Sequence, residues 1–229
     1  MKVDIGIIGA MEPEVEAIIA TLEERKSETV SRITFYTGKI GEKTVAVAKC
    51  GIGKVFAALC AEIMILKYNP DLLVNTGVGG ALASGITTGD IVIAGDLCQH
   101  DMDTSAIGDP VGLISGLNLV YIPADKTLCD TLAAASVSEG LHTVVGTVAS
   151  GDLFVAKAED KARIKEQFNA AACEMEGASI GQVAYTNGVP FAVLRAISDG
   201  GDGMEFSEFA PLAATRSVKV TREFVKKLV

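Results

Sequence analysis

Apolar runs alternate with amphipathic segments along the chain, and this alternation predicts buried strands separated by helices. Strands buried on both faces of a sheet are typically parallel, so we expect a mixed, largely parallel sheet with helices on both sides. No linker-like stretch divides the sequence, and we therefore predict a single three-layer α/β domain over residues 1–229. Strands are predicted at residues 3–10, 71–76, 90–94, 143–149 and 190–197, and helices at 12–26, 55–68, 128–138 and 158–168.

Three further segments depart from this simple alternation. Residues 33–39 and 44–49 alternate in polarity and predict a β-hairpin. Residues 96–124 show neither a helical nor a strand period, and a loop of that length is usually functional or interface-forming. Residues 206–228 predict a closing helix or helix pair that is broken at Pro211.

Turns rich in glycine or polar residues follow three of the predicted strands, at residues 50–54, 77–81 and 150–154. The first is only a weak match to a phosphate-binding loop. Ala48 stands at the place of the first glycine of that motif, and Val55 replaces the hydroxyl residue after the lysine. We therefore reject a nucleoside triphosphate site. The three turns should leave the same edge of the sheet, where open α/β sheets bind ligands.

Carboxylates and one arginine lie near these strand ends. Glu14 follows the first strand, Arg195 interrupts the apolar run of the last strand, and Asp199 follows its end. A helix is predicted to begin near Glu174. Because successive helical residues rotate by about 100°, the side chains of Glu174 and Glu176 would then point about 200° apart, and only one could face a given pocket. Each residue alone fits an ordinary helix start, ion pair or loop cap, but together they predict a pocket with carboxylates and an arginine.

Composition narrows the class of ligand. The net charge of −9 argues against nucleic acid or an anionic membrane as the main partner, because both attract a basic surface. Five cysteines without a C-x-x-C pair indicate reduced thiols in a cytoplasmic protein, and two isolated histidines are too few for a zinc site. Neither a signal peptide nor a membrane span is predicted. A small molecule is therefore the expected ligand, with no metal.

Six short motifs together resemble the 5′-methylthioadenosine/S-adenosylhomocysteine nucleosidases of the purine nucleoside phosphorylase-like superfamily. Each is weak alone, but all six occur in the family's order over nearly the whole chain. The resemblance implies a mixed sheet partly closed into a barrel, a cytoplasmic homodimer, and hydrolysis of nucleosides in methionine salvage without a metal or organic cofactor. The motifs lie at residues 9–14, 51–54, 75–77, 150–152, 174–176 and 195–199.

The same resemblance implies the roles of three catalytic residues. Asp199 is expected to protonate the adenine leaving group, Glu14 to activate water, and Glu176 to bind the ribose hydroxyls. These residue types suit the reaction, because breaking an N-ribosidic bond needs a proton donor at the base and negative charge near the sugar. Carboxyl groups in unlike environments can hold the opposite proton states that this requires.

The resemblance also implies a set of substrate-binding residues. Glu174 and Arg195 match positions at the ribose and water, Phe154 would stack on the purine, and the backbone of Val155 would bind its edge. Three positions depart from the family, which often has Ser at Val78, a bulky aromatic at Ile107 and a small hydroxyl residue at Cys50. The residue at Ile107 is expected to close the partner subunit's pocket. The ribose and alkylthio pocket would be lined by Ala10, Met11, Ile52, Met175 and Phe206.

Other functions stay open at this point. A phosphorolytic relative would need cationic and hydroxyl donors around phosphate. Residues 77–81 supply none and Glu14 would repel the anion, so hydrolysis is favoured. A binding protein without chemistry would have no need to combine Glu14, Glu176 and Asp199. A nucleosidase acting on 6-amino-6-deoxyfutalosine would share these motifs.

Overall fold

The computed structural model describes residues 1–199 and 203–228, without the side chains at 199 and 203–205. Within that part of the chain, strands and helices alternate as the sequence predicts. The strands are β1 (Ile5–Gly9), β2 (Glu23–Val30), β3 (Ile33–Ile40), β4 (Lys43–Lys49), β5 (Leu72–Ala81), β6 (Ile91–Gln99), β7 (Ile122–Pro123), β8 (Thr143–Ser150), β9 (Ala170–Glu174) and β10 (Phe191–Asp199). The helices are α1 (Glu12–Ile19), α2 (Lys54–Tyr68), α3 (Lys126–Ser138), α4 (Ala158–Phe168), α5 (Gly177–Thr186) and α6 (Gly203–Lys227), with a short 3-10 turn at Ser105–Ile107.

The described strands form one mixed sheet, part of which closes on itself. Strand β10 pairs in parallel with β5 and antiparallel with β6, and β6, β8 and β9 continue the ring back to β5. On its other side β5 pairs with β1, from which β4, β3 and β2 extend as an open sheet. The prediction of a mixed, partly barrel-closed sheet is therefore confirmed.

Helices cover both faces of this sheet and bury two apolar clusters. Helices α2 and α5 pack on one face, where Met64 and Ile180 are buried. Helices α1, α3 and α6 pack on the other face, where Ile18, Leu132 and Phe224 are buried. This is the predicted three-layer arrangement. Among the described residues, no helix is both long enough and apolar enough to cross a bilayer.

The predicted helix over residues 12–26 is wrong beyond Ile19. Residues Glu23–Val30 form strand β2, whose side chains are almost all exposed. It pairs only with β3, at the open edge of the sheet. An edge strand rich in charges buries no apolar face, and it therefore lacks the period-2 signal by which strands are recognised.

Three other predictions also need correction. Residues 77–81 are not a turn but the second half of β5, where the backbone pairs with β10 and β9. The segment 96–124 is partly regular, because β6 continues to Gln99 and β7 lies within it. Helix α6 continues through Pro211, since buried residues beyond the proline, such as Ala214 and Val218, anchor the helix against the barrel. That packing outweighs the hydrogen bond that a proline removes.

Candidate functional site

A cavity of about 270 Å³ lies at the end of the barrel where β5, β8, β9 and β10 finish. Its walls are formed by residues of β5, β9 and β10 and by the loops that follow β1, β4, β8 and β9. Its apolar lining residues are Ala10, Met11, Ile52, Val78, Leu153, Phe154, Val155, Met175 and Phe206, and the remainder are Glu14, Gly79, Gly80, Cys173, Glu174, Glu176 and Ser198.

Glu14 reaches the cavity floor from the first turn of α1 and is only 2% exposed. Its Oε2 accepts the backbone N–H of Ala10 at 2.7 Å and of Met11 at 2.9 Å, while its Oε1 accepts the N–H of Val78 at 3.0 Å. Burial raises the pKa of Glu14, although the Met11 N–H and the charge of Arg195 oppose that effect. A carboxylate that is fixed in position and has a raised pKa is suited to accept a proton.

The close approach of Glu14 explains why a glycine stands at position 77. A Cβ on Gly77 would lie 2.8 Å from Oε1 of Glu14, inside the contact distance of the two atoms. Strand β5 therefore passes directly against this carboxylate, and the motif at 75–77 serves close packing rather than a turn.

Glu174 and Arg195 form a buried ion pair beneath the cavity. The Arg195 guanidinium is 1% exposed and donates to Oε2 of Glu174 and, at 2.6 Å, to Oδ1 of Asn75. Oε1 of Glu174 accepts the hydroxyl of Ser150, while its Oε2 also accepts the backbone N–H of Gly177 at 2.7 Å. Such a pair with additional hydrogen bonds tolerates burial, whereas an unpaired charge does not.

Glu176 stands above this pair. Its Oε1 accepts the backbone N–H of Gly53 at 2.9 Å, and its Oε2 lies 3.9 Å from the Arg195 guanidinium. Burial, followed by repulsion from Glu174, raises the pKa of Glu176 to about 7. Near neutral pH this carboxyl group can therefore exist in either proton state.

The prediction that only one of Glu174 and Glu176 can face a pocket is wrong. Glu174 ends strand β9, and α5 begins only at Gly177, so the helical rotation does not apply between the two residues. Both side chains line the cavity. The missed strand β9 is a run of small residues that carries no clear strand signal.

Two aromatic rings close the apolar side of the cavity. Phe154, in the loop after β8, meets Phe206 of α6 edge to face, with ring centroids 5.3 Å apart. Phe154 lines the cavity and is 44% exposed, so part of its ring is accessible to a ligand. A planar heterocycle could stack there, since aromatic rings offer such a surface.

The structure brings most of the predicted site residues together, with three exceptions. Ile107 is 82% exposed and is not among the residues that line this cavity. The backbone of Asp199 ends β10 next to Gly80, but its side chain lies outside the described residues. Arg195 lies behind the lining, where its guanidinium pairs with Glu174 and lies near Glu176.

Sequence reasoning missed several residues that shape the site. Leu153 and Cys173 line the cavity, and Ser150 and Asn75 hold the buried ion pair. Ser150 and Asn75 fall inside two of the resembling motifs, which was a usable signal for them. A buried cysteine in a run of alanines gives no such signal.

The polar residues around this cavity favour a bound group that carries positive charge over one that carries negative charge. Among the described side chains, the carboxyl groups of Glu14, Glu174 and Glu176 all interact with one guanidinium, that of Arg195. Such a site stabilises positive charge on a bound molecule, and its carboxylates can accept protons.

Comparisons with known proteins agree with this geometry. The family model described as the phosphorylase superfamily matches residues 4–226. A 5′-methylthioadenosine/S-adenosylhomocysteine nucleosidase of Shewanella halifaxensis is 36% identical over 98% of this chain and 99% of its own length. The crystal structure of such a nucleosidase from Neisseria meningitidis, in complex with methylthio-immucillin-A, has a TM-score of 0.94 at 34% identity, covering 98% of this chain and 99% of that one. A futalosine hydrolase of Helicobacter pylori also has a TM-score of 0.94, at 33% identity, covering 98% of this chain and 97% of that one.

Proposed function

Because the chain belongs to the 5′-methylthioadenosine/S-adenosylhomocysteine nucleosidase family, within the phosphorylase superfamily, we propose that its cavity is the active site of this reaction. The chain is an N-glycosyl hydrolase that cleaves the N-ribosidic bond of 5′-methylthioadenosine and S-adenosylhomocysteine. The products are adenine and the corresponding 5-thioribose.

The position of Glu14 is the observation that supports hydrolysis rather than phosphorolysis. Its carboxylate accepts hydrogen bonds from the backbone N–H groups of Ala10, Met11 and Val78. Without Glu14, backbone donors of this kind could bind an anion such as phosphate. A phosphate would have to displace this carboxylate or lie against its charge. A neutral water molecule meets no such repulsion, and Glu14 can accept its proton.

The activation barrier for breaking the N-ribosidic bond is high because positive charge develops on the sugar. The carboxyl groups of Glu14, Glu174 and Glu176 outnumber the one guanidinium beside them, and this excess would stabilise the cation. We assign water activation to Glu14 and binding of the ribose hydroxyls to Glu176. The protonation of adenine is assigned to Asp199 on resemblance alone.

The remaining walls are assigned to the base and the 5′ substituent. Phe154 would stack on adenine, and the backbone of Val155 would contact its edge. Met11, Ile52 and Phe206 would surround the ribose and the alkylthio group, which suits their apolar surface. Such apolar walls would favour a thioether over a free hydroxyl at the 5′ position.

A homodimer in the cytoplasm is the assembly that we propose. Val55, Phe56 and Leu59, which share helix α2, are exposed beside the cavity residue Ile52, itself 57% exposed. Contiguous apolar surface of this kind generally marks a protein contact. An isologous contact of two α2 helices would cover it, and Ile107 would then close the partner's 5′ pocket.

The decisive experiment incubates the purified protein with 5′-methylthioadenosine, with and without phosphate, and measures adenine and the sugar product. We expect adenine release at the same rate in both buffers and free methylthioribose as the second product. Strict dependence on phosphate would contradict hydrolysis. Because of the similarity to a futalosine hydrolase, 6-amino-6-deoxyfutalosine is the second candidate substrate and belongs in the same assay.

A further inference from the structure

Three chain segments meet beside the cavity in a closed set of hydrogen bonds, which we name the Lys54–Asp101–Asp152 ring. The backbone N–H of Lys54 donates to Oδ1 of Asp152 at 2.8 Å, and the backbone N–H of Asp152 donates to Oδ2 of Asp101 at 2.9 Å. The Lys54 ammonium completes the ring by donating to Oδ1 of Asp101 at 2.6 Å. None of these three side chains lines the cavity itself.

The ring joins two loops that both contribute residues to the cavity lining. Lys54 follows Ile52 and Gly53 in the chain. Ile52 lines the cavity, and the backbone N–H of Gly53 donates to Glu176. Asp152 directly precedes Leu153 and the base-stacking Phe154. A shift at either aspartate would therefore move both loops.

Asp152 also supplies a cap that helix α2 lacks. The N-cap position is Gly53, which has no side chain to cap the helix and a φ of 98°. The carboxylate of Asp152 takes that place from a different loop, where a negative charge is favoured by the helix dipole. A Cβ on Gly53 would lie 3.0 Å from Oδ1 of Asp152, so the glycine makes this approach possible. The direction of the first N–H groups of α2 is thereby fixed.

The ring is partly shielded from solvent, and its contacts favour the ionised form of Asp101. The side chains of Lys54 and Asp101 are 19% and 30% exposed. Burial acts to raise the pKa of Asp101, but the Lys54 ammonium and the Asp152 N–H outweigh it and the pKa is lowered. The Lys54 ammonium also donates to Oε1 of Gln99 at 3.1 Å, and the Gln99 amide donates to Gln182 of α5 at 2.6 Å. The ring is thus anchored to the helix that follows Glu176.

We propose that Asp152 and Asp101 are positioning residues, which hold the Gly53 N–H on the Glu176 carboxylate and fix the loop that carries Phe154. The inference rests on the proposed function for its effect on turnover. Its structural part concerns only the environment of Glu176.

Loss of the ring should change the proton affinity of Glu176. The Gly53 N–H stabilises the ionised form of Glu176, so its displacement should raise the pKa further. Among the described side chains, the other charged groups that act on Glu176 are Glu174, Arg195 and Glu14, and these belong to the cavity floor rather than to the ring. The nearby Cys50 thiol stays neutral, because burial raises its pKa.

The test is an NMR titration of the Glu176 carboxyl carbon in ¹³C-glutamate-labelled protein, with Asp152→Ala compared to the unsubstituted chain. We expect the midpoint to rise by about one pH unit, which corresponds to about 1.4 kcal/mol. In the same variant the Michaelis constant for 5′-methylthioadenosine should rise about tenfold, with a smaller change in kcat. Asp101→Ala should shift the midpoint in the same direction. Asp152→Asn should stay near the unsubstituted value, because its amide oxygen still accepts the Lys54 N–H.

Asp125→Ala is the matched control. Asp125 caps α3, where its Oδ1 accepts the Leu128 N–H at 2.9 Å, and it lies outside the cavity lining. The Asp125→Ala substitution should lower the stability of the protein about as much as Asp152→Ala does, and it should leave the midpoint of the Glu176 titration unchanged. An unshifted midpoint in Asp152→Ala, or an equal shift in Asp125→Ala, overturns the inference. If the unsubstituted protein releases no adenine, the proposed function fails, and the titration still decides the role of the ring.

Discussion

The floor and the walls of the cavity are built in opposite ways. On the floor, Glu14, Glu174 and Arg195 are at most 7% exposed, and each is held by hydrogen bonds to the backbone or to another side chain. On the walls, Leu153 and Phe154 are more than two-fifths exposed and lie on a loop.

This difference indicates that the floor serves the reaction, whereas the walls determine which substrate is preferred. The charged floor sits at strand ends of a closed barrel and is complete within one chain, so it is expected to keep its geometry whatever ligand is bound. The exposed apolar side chains of the walls favour contact with a ligand or a protein partner, because surface of this kind is rarely left open to water. Substitutions on the floor should therefore affect stability and turnover, and substitutions on the walls should affect substrate preference.

The largest effect is expected from Arg195→Met. Removal of the guanidinium leaves the Glu174 carboxylate buried without a counterion, which typically costs about 3–5 kcal/mol of stability. Urea unfolding followed by circular dichroism measures this loss. Lys126→Met breaks an exposed ion pair with Asp130 and is the control, for which we expect no measurable change. Equal stability of the two variants would show that the floor is not organised around the pair.

Glu14→Gln should lower kcat by roughly a hundredfold or more, the usual scale for loss of a general base. It should also lower stability, because the amide NH2 replaces an oxygen that accepts a backbone N–H of Ala10, Met11 or Val78. The amide cannot accept a proton from water, while the shape of the residue is kept. Steady-state kinetics with 5′-methylthioadenosine measures the effect. Glu16→Gln, on the exposed face of the same helix, should behave as the unsubstituted protein. Near-normal turnover in Glu14→Gln would leave the carboxylate with a purely structural role.

A smaller and more selective effect is expected on the walls. Ile107→Asp should raise the Michaelis constant for 5′-methylthioadenosine about tenfold and change that for adenosine little, because only the thioether fills an apolar 5′ pocket. Kinetics with both substrates and sedimentation of the variant provide the measurement. A fully active monomer, or an equal loss for both substrates, would remove Ile107 from the pocket.

Periodicity predicted the buried strands and most of the helices, because those elements owe their pattern to burial. It failed where a segment takes its structure from pairing instead. Strand β2 has no buried face, and the glycines at positions 77, 79 and 80 are part of a strand only because β9 and β10 pair with it. Neither feature can be recognised from the local sequence.

The site was predicted through resemblance rather than through pattern. Glu14 and Glu176 are not distinguishable by spacing from ordinary acidic residues at helix starts. What sets them apart is burial together with partners far away in sequence, such as Val78 for Glu14 and Gly53 for Glu176. The Lys54–Asp101–Asp152 ring spans about a hundred residues of sequence and is likewise visible only in three dimensions.

The pairing of β5 with β10 also bears on how the chain is made. These strands are adjacent in the barrel, yet Leu73 and its partner Phe191 are separated by more than half of the polypeptide. During synthesis from the amino terminus, one edge of β5 stays unpaired until the final fifth of the chain has left the ribosome. Contacts this distant also slow folding. Because Arg195 lies on that last strand, the charged floor can form only in the final step of barrel closure, and a nascent chain that stops short of β10 holds Glu174 without its counterion.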